Sequence, residues 1–227
     1  MDKIKKKNKN AKTTLLMHTE VHDPNGQDLY AIANKLGLNV GDSKEFLISS
    51  EKMSIENLSV IYSASDVTIS ISDAEGFGLS TFESLACETP IITTMTGGLQ
   101  EQVTKIDKIN DNIVSKRNAK NAGKCIEYEH GIGLEPSSRS IIGSQEVPYI
   151  YEDRLSKEQV IEALVKMYEY GPEKRDEIGA AGRKHVLENY SFESFTKSWD
   201  DLLTETHETM GSWETRKGYK NWELRRI

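Results

Sequence analysis

Between Thr13 and Thr94 the apolar residues follow two alternating rhythms. Short continuous or β-branched runs, TTLLMH (13–18), KEFLIS (44–49), VTISI (67–71) and IITT (91–94), predict four strands. Between them apolar positions recur every three or four residues and predict helices. These are Leu29, Ile32, Ala33 and Leu36 within 27–36, Ile55, Leu58, Ile61 and Tyr62 after an N-cap at Ser54, and Leu79, Phe82, Leu85 and Ala86 within 78–87. Gly37 closes the first helix, and Met53 and Leu58 are placed as a hydrophobic staple for the second. Strand and helix alternate, which predicts an α/β chain with a Rossmann-like parallel sheet flanked by helices.

After Thr94 the rhythm breaks. Residues 105–145 are polar and rich in Lys and Asn, and predict a long loop region with one short strand over 132–135. Regular spacing resumes at Ser156, which makes a capping box with Gln159 ahead of Val160, Ile161, Leu164, Val165 and Tyr168, in a helix ending at Gly171-Pro172. A second helix is predicted over 173–188. A third starts at Ser191, with Tyr190 and Phe195 as its staple and an apolar stripe of Phe192, Phe195, Trp199 and Leu202. The pattern divides the chain into a Lys-rich helix end (1–12), one Rossmann-like domain (13–205) and a carboxyl-terminal tail (206–227). In that tail Trp213, Tyr219 and Trp222 stand among charges and no element is evident.

Composition narrows what such a domain does. The 227-residue chain holds no apolar run near the ~20 residues that span a bilayer, and no secretory signal is visible. Cys87 and Cys125 make neither a disulfide framework nor a metal-ligand spacing, so a reducing, cytoplasmic setting is expected. Lys3, Lys5, Lys6, Lys7, Lys9 and Lys12 crowd the amino terminus, yet the net charge is still −7. The body is therefore acidic. It lacks the basic, aromatic-interleaved face of a nucleic-acid binder.

Candidate chemistry concentrates in SISDAEGFGLSTFESLACETPIITTMTGG, residues 70–98. Glu75 follows the third predicted strand, at the carboxyl end where open α/β sheets hold ligands. Gly76 and Gly78 keep side chains off the backbone. The helix they introduce offers unpaired N–H groups and a partial positive charge, a setting for phosphate. Glu83 lies beyond the first turn of that helix, too deep to complement the dipole. Two acceptor-only carboxylates astride an anion site suit a ligand with hydroxyls on both sides of a phosphate, such as a nucleotide sugar. On pattern alone a second reading stays open, of two solvated acids and an ordinary tight turn at Gly97-Gly98.

The same residues carry a resemblance. Ala64-Ser65-Asp66, Glu75-Gly76-Phe77-Gly78-Leu79, Glu83, Ala86, Pro90, Gly97-Gly98 and Glu101 resemble the core motif of the family 4 retaining glycosyltransferases, which have the two-domain GT-B fold. GIGLEPSSRSIIGSQEVPYIYED and NYSFESF look like that family's downstream course, so the resemblance covers roughly 13–205. It implies the carboxyl-terminal, donor-binding domain of a hexosyltransferase-like enzyme. Glu75 would bind hydroxyls of the transferred sugar and serve catalysis, and Glu83 would bind the ribose. Gly76 and the amides of Phe77, Gly78, Leu79 and Ser80 would meet the sugar or diphosphate. Gly97 and Gly98 would shape the wall near the sugar, and the backbone of Ile48 and Ser49 would lie against the base. A nucleoside diphosphate sugar is then the donor substrate, with no cofactor and no metal.

Two departures qualify this expectation. Family members are longer, with an amino-terminal domain that holds the acceptor, and this chain is expected to begin about one helix into the carboxyl-terminal domain. The Arg and Lys that the family sets before that helix have no counterpart. The expected function is thus the donor-binding half of a retaining transferase, completed by an amino-terminal acceptor domain or subunit. Its alternatives are a non-catalytic nucleotide-sugar-binding or interaction module and a sugar-nucleotide epimerase of the same fold. A dinucleotide oxidoreductase fits least, because Gly76-Phe77-Gly78 lacks the third glycine of that fingerprint. The stripe from Phe192 to Leu202 is expected to meet the missing domain or another copy of the chain.

Overall fold

The computed structural model describes residues 2–24, 26–38, 45–104, 120–212, 214–215 and 217. Its first half runs α1 (Asp2–Lys7), β1 (Leu15–His18), α2 (Leu29–Lys35), β2 (Phe46–Ser49), α3 (Ile55–Ser63), β3 (Thr68–Ser70), α4 (Leu79–Ala86), β4 (Ile91–Thr94) and α5 (Leu99–Val103). Four strands follow, β5 (Cys125–Tyr128), β6 (Gly131–Leu134), β7 (Ser138–Ile142) and β8 (Ile150–Arg154). Three helices complete it, α6 (Lys157–Glu169), α7 (Gly171–Asn189) and α8 (Phe192–Met210).

The main sheet has the order β3-β4-β6-β5, with β3, β4 and β6 parallel and β5 antiparallel at its edge. All four residues of β4 are buried, as a continuous apolar and Thr run requires of a central parallel strand. Ile91 packs with Leu85, Val103 and Val186 on the α4 and α7 side. Ile92 packs with Ile132, Leu134, Ala163 and Met167 on the α6 side. Helices therefore cover both faces, which is the Rossmann-like arrangement the alternation predicts. The four expected strands fall into two hydrogen-bonded groups, because β1 and β2 form a separate parallel pair. Leu15, Leu16 and Leu47 in that pair remain partly exposed, so their apolar run is not that of a strand buried on both faces.

The region over 105–145 departs from expectation. Residues 105–119 lie outside the described residues, but 120–145 hold the β5–β6 hairpin and the whole of β7. Strand β6 answers to the short strand expected over 132–135, beginning one residue earlier, whereas its partner CIEY carries a charge and does not read as a strand on periodicity. The β7–β8 hairpin leans on the loop after β3, where Asp153 N donates to Asp73 O at 2.8 Å and Arg154 pairs with the Asp73 carboxylate.

Helix ends follow their signals closely. Ser156 and Gln159 make the capping box of α6. Tyr170 caps the other end, and Gly171-Pro172 opens α7 instead of closing α6. The Lys-rich start is docked: Ile4 is buried, Lys7 pairs with Glu169, and Asn8 Nδ2 donates to Tyr168 OH at 3.0 Å. At the other end α8 continues past position 205 to Met210, while Trp213, Tyr219 and Trp222 lie outside the described residues. Among the described residues no helix is long and apolar enough to cross a membrane.

Candidate functional site

The loop from Ile71 to Gly78 leaves the carboxyl end of β3, and the turn from Met95 to Gly98 leaves that of β4. They meet through backbone. Gly98 N donates to Gly76 O at 3.1 Å, and at Gly97 an added Cβ would stand 1.8 Å from Glu75 O. Gly97 has φ 47° and Gly78, the N-cap of α4, has φ 86°, so both adopt the left-handed conformation that glycine tolerates. Gly97-Gly98 is thus more than a tight turn: its lack of side chains is what lets the two loops touch.

Around this contact the sequence-selected residues gather. Glu75 is half-buried and its Oε1 accepts from Gly76 N at 3.1 Å. Gly76 faces open space. Leu79 and Ser80, in the first turn of α4, are exposed, so the amide end of this helix is open to a ligand. Glu83 accepts from Tyr62 OH at 3.0 Å through Oε2. Burial, reinforced by the Glu83 hydrogen bond and charge, pushes the Tyr62 phenol pKa up from its ordinary value, so Tyr62 stays a donor at neutral pH. Ile48 and Ser49 stand at the end of β2, where Ser49 is engaged by β1: its carbonyl accepts from Thr19 N at 2.9 Å and its hydroxyl lies 3.1 Å from His18 Nδ1. No hydrogen bond among the described residues ties them to the loop of Glu75.

Beneath the loop lies a polar cluster that periodicity does not single out. Gln102 is fully buried, with Oε1 2.6 Å from the Thr81 hydroxyl and Nε2 donating to the carbonyls of Phe77 and Gly78. His130 Nδ1 donates to Gln102 O at 2.9 Å and His185 Nε2 to Glu101 O at 2.8 Å, with the two imidazoles 4.4 Å apart. Asn189 Nδ2 lies 3.0 Å from His185 Nδ1, which fits the Nε2–H tautomer. One signal is present in the sequence: Leu99, Gln102 and Val103 share a helical face, and a Gln between two core positions needs a partner. Tyr62 reads as part of an apolar helix face, and its hydroxyl gives no periodic signal at all.

Outside the loop, Phe77, Phe82 and Tyr190 form an aromatic cluster with ring centroids 5.3–5.7 Å apart. An apolar groove of about 610 Å³ separates it from the stripe on α8. Phe192, Phe195, Trp199 and Leu202 in that stripe are 49–78% exposed.

Residues 27–128 match the family described as glycosyl transferases group 1, a span that holds Ile48, Ser49, Glu75 to Ser80, Glu83, Gly97 and Gly98. A search of curated proteins finds no match. Among solved structures, sucrose-phosphate synthase from Thermosynechococcus elongatus is 20% identical, with a TM-score of 0.56 and coverage of 90% of this chain and 41% of that one. A glycosyltransferase from Rickettsia africae is likewise 20% identical, with a TM-score of 0.55 and coverage of 89% and 42%. HepE from Anabaena, in complex with UDP, is 12% identical, with a TM-score of 0.53 and coverage of 90% and 52%. The fold is that of these glycosyltransferases, as the motif resemblance implies, and the chain spans roughly two fifths to half of their length.

Proposed function

We propose, from the group 1 match over residues 27–128 and the glycosyltransferase fold around it, that this chain supplies the nucleotide-sugar side of a retaining family 4 glycosyltransferase. The observation that carries the reading is the pair of carboxylates, Glu75 and Glu83, astride the open amide end of α4 at the carboxyl ends of β3 and β4. The amides of Phe77 to Ser80 receive the diphosphate, whose charge the helix dipole complements without a metal. Glu83 accepts from the ribose through the oxygen that Tyr62 leaves open, and Glu75 accepts from hydroxyls of the sugar and serves its transfer. Gly97 and Gly98 hold the wall beside the sugar, and the backbone of Ile48 and Ser49 faces the base. HepE has been solved with UDP and with UDP-glucose, which makes these the first ligands to try.

Calorimetry against UDP, UDP-glucose and the other nucleoside diphosphates and their hexose conjugates tests the two carboxylates separately. Glu83→Ala should weaken both free and conjugated nucleotide by about 1.5–3 kcal/mol, the value of a charge-assisted hydrogen bond. Glu75→Ala should weaken only the conjugate, because only the conjugate carries the sugar. Equal loss for both ligands at Glu75 would reduce that carboxylate to a cap on Gly76 N, which it already touches.

The acceptor side is supplied by an amino-terminal domain or subunit. Transfer needs an acceptor hydroxyl beside the anomeric carbon in one water-excluded cleft, and the groove along α8 offers the apolar surface on which such a domain, or a second copy, can rest. Donor turnover should appear when this chain is joined to such a domain and be absent without it, with light scattering reporting self-association of the isolated chain. Full glycosylation of an acceptor by the monomeric chain alone would overturn the division of labour.

A further inference from the structure

Three consecutive carbonyls of the glycine loop accept hydrogen bonds from the same side. Gly98 N holds Gly76 O, and the carboxamide of Gln102 holds Phe77 O and Gly78 O. Every described peptide is trans, so each C=O and the N–H that follows it in the same peptide plane point in opposite directions. Anchoring these three carbonyls toward α5 therefore turns the amides of Phe77, Gly78 and Leu79 away from α5. We propose that Gln102 is a positioning residue for oxyanion binding: buried behind the loop, it sets the peptide planes whose outward N–H groups receive the donor's diphosphate. This inference rests on the nucleotide-sugar reading and adds to it the residue that pre-organises the anion site.

The chemistry of the side chain fits the task. A carboxamide presents two donor hydrogens and an acceptor oxygen in one plane. Here the donors take two loop carbonyls and the oxygen takes the Thr81 hydroxyl from the first turn of α4, so one side chain joins the loop to its helix. Glu at this position would set a carboxylate against two carbonyls, and Leu would release Phe77 O and leave Gly78 O to the Phe82 amide and the Thr81 hydroxyl, which hold it at 3.2 and 3.0 Å. Gln102 is itself held. Its helix α5 has only five residues, too few to be stable alone, and its last carbonyls are capped by His130 from the β5–β6 turn and His185 from α7. Gln102 and Thr81 do not touch the ligand themselves. They act through the peptide planes of 76–79.

The test uses the 227-residue chain and two probes, UDP and inorganic pyrophosphate, the second lacking base and sugar. Gln102→Leu should weaken pyrophosphate and UDP by at least about tenfold, the loss of one charge-assisted hydrogen bond or more. Thr81→Val should weaken both by a smaller factor, and Thr81→Ser, which keeps the hydroxyl, should restore parental affinity. In nitrogen-15 resonance spectra of the parent, pyrophosphate should shift the amides of Phe77, Gly78 and Leu79, and in Gln102→Leu it should not. If Gln102→Leu fails to fold, the Thr81 pair reads the same network from its other end. A folded Gln102→Leu that melts earlier but binds both probes like the parent would overturn the inference and leave Gln102 as packing. A parent that binds neither probe would overturn the nucleotide-sugar reading itself.

Discussion

Gly97→Ala is expected to lower stability by about 2–5 kcal/mol and to weaken nucleoside diphosphate binding at least tenfold in the molecules that stay folded. At φ 47° a residue with a Cβ already carries a left-handed penalty of about 1–2 kcal/mol. Steric contact adds to it. The new Cβ would stand 1.8 Å from Glu75 O, a backbone atom with no rotamer to retreat into, so the whole loop of Glu75 must move. Overpacking of this kind costs about 1–3 kcal/mol more. The shift would break the Gly98 to Gly76 hydrogen bond and draw Phe77 O and Gly78 O away from Gln102, which is why binding falls together with stability. The same substitution at Gly76, which faces open space, should change stability by no more than about 0.5 kcal/mol. Thermal unfolding with a UDP titration separates the two quantities. A Gly97→Ala chain with parental melting and affinity would mean that the loop is not held by this turn.

Much of this site is legible in the sequence because its parts act through local rules. The strand-then-glycine pattern at VTISI and Gly76-Phe77-Gly78 locates a ligand-facing helix start, and Ser54, Ser156 and Ser191 mark helix starts that the structure shares. What lies between distant elements is not legible. Tyr62 reaches Glu83 from α3, and Gln102 reaches the loop from α5, by side-chain lengths that no periodicity encodes. In the β5–β6 hairpin the sequence shows β6, expected over 132–135, but not β5. Strand β6 is buried between β4 and β5, where its two glycines serve close packing, while the charged, half-exposed CIEY run of β5 carries no alternation that marks it. The apolar runs of β1 and β2 mislead in the opposite sense. They pair with each other in register, yet their leucines stay partly exposed.

Gly179→Ala tests the scaffold behind the site, where two effects of opposite sign compete. Gly179 lies in the middle of α7, and alanine there raises helix propensity by about 1 kcal/mol, which would stabilise α7 in isolation. In the folded chain the added methyl would stand 1.8 Å from Glu88 O, at the carboxyl end of α4. Both sides of that contact are backbone, so relief requires α7 to lift from α4. Lifting it loosens Val186 from the core around Leu85 and Ile91, and draws His185 from the Glu101 carbonyl it holds at 2.8 Å. Lost core packing and overpacking together cost about 3–5 kcal/mol against a gain of about 1, so packing wins by about 2–4 kcal/mol. Calorimetric unfolding should therefore show a melting temperature several degrees lower. UDP affinity should fall less than in Gly97→Ala, because His130 still caps Gln102 O when His185 is displaced. A Gly179→Ala chain at least as stable as the parent would mean that α7 has room to shift and that propensity, not contact with α4, decides the sign.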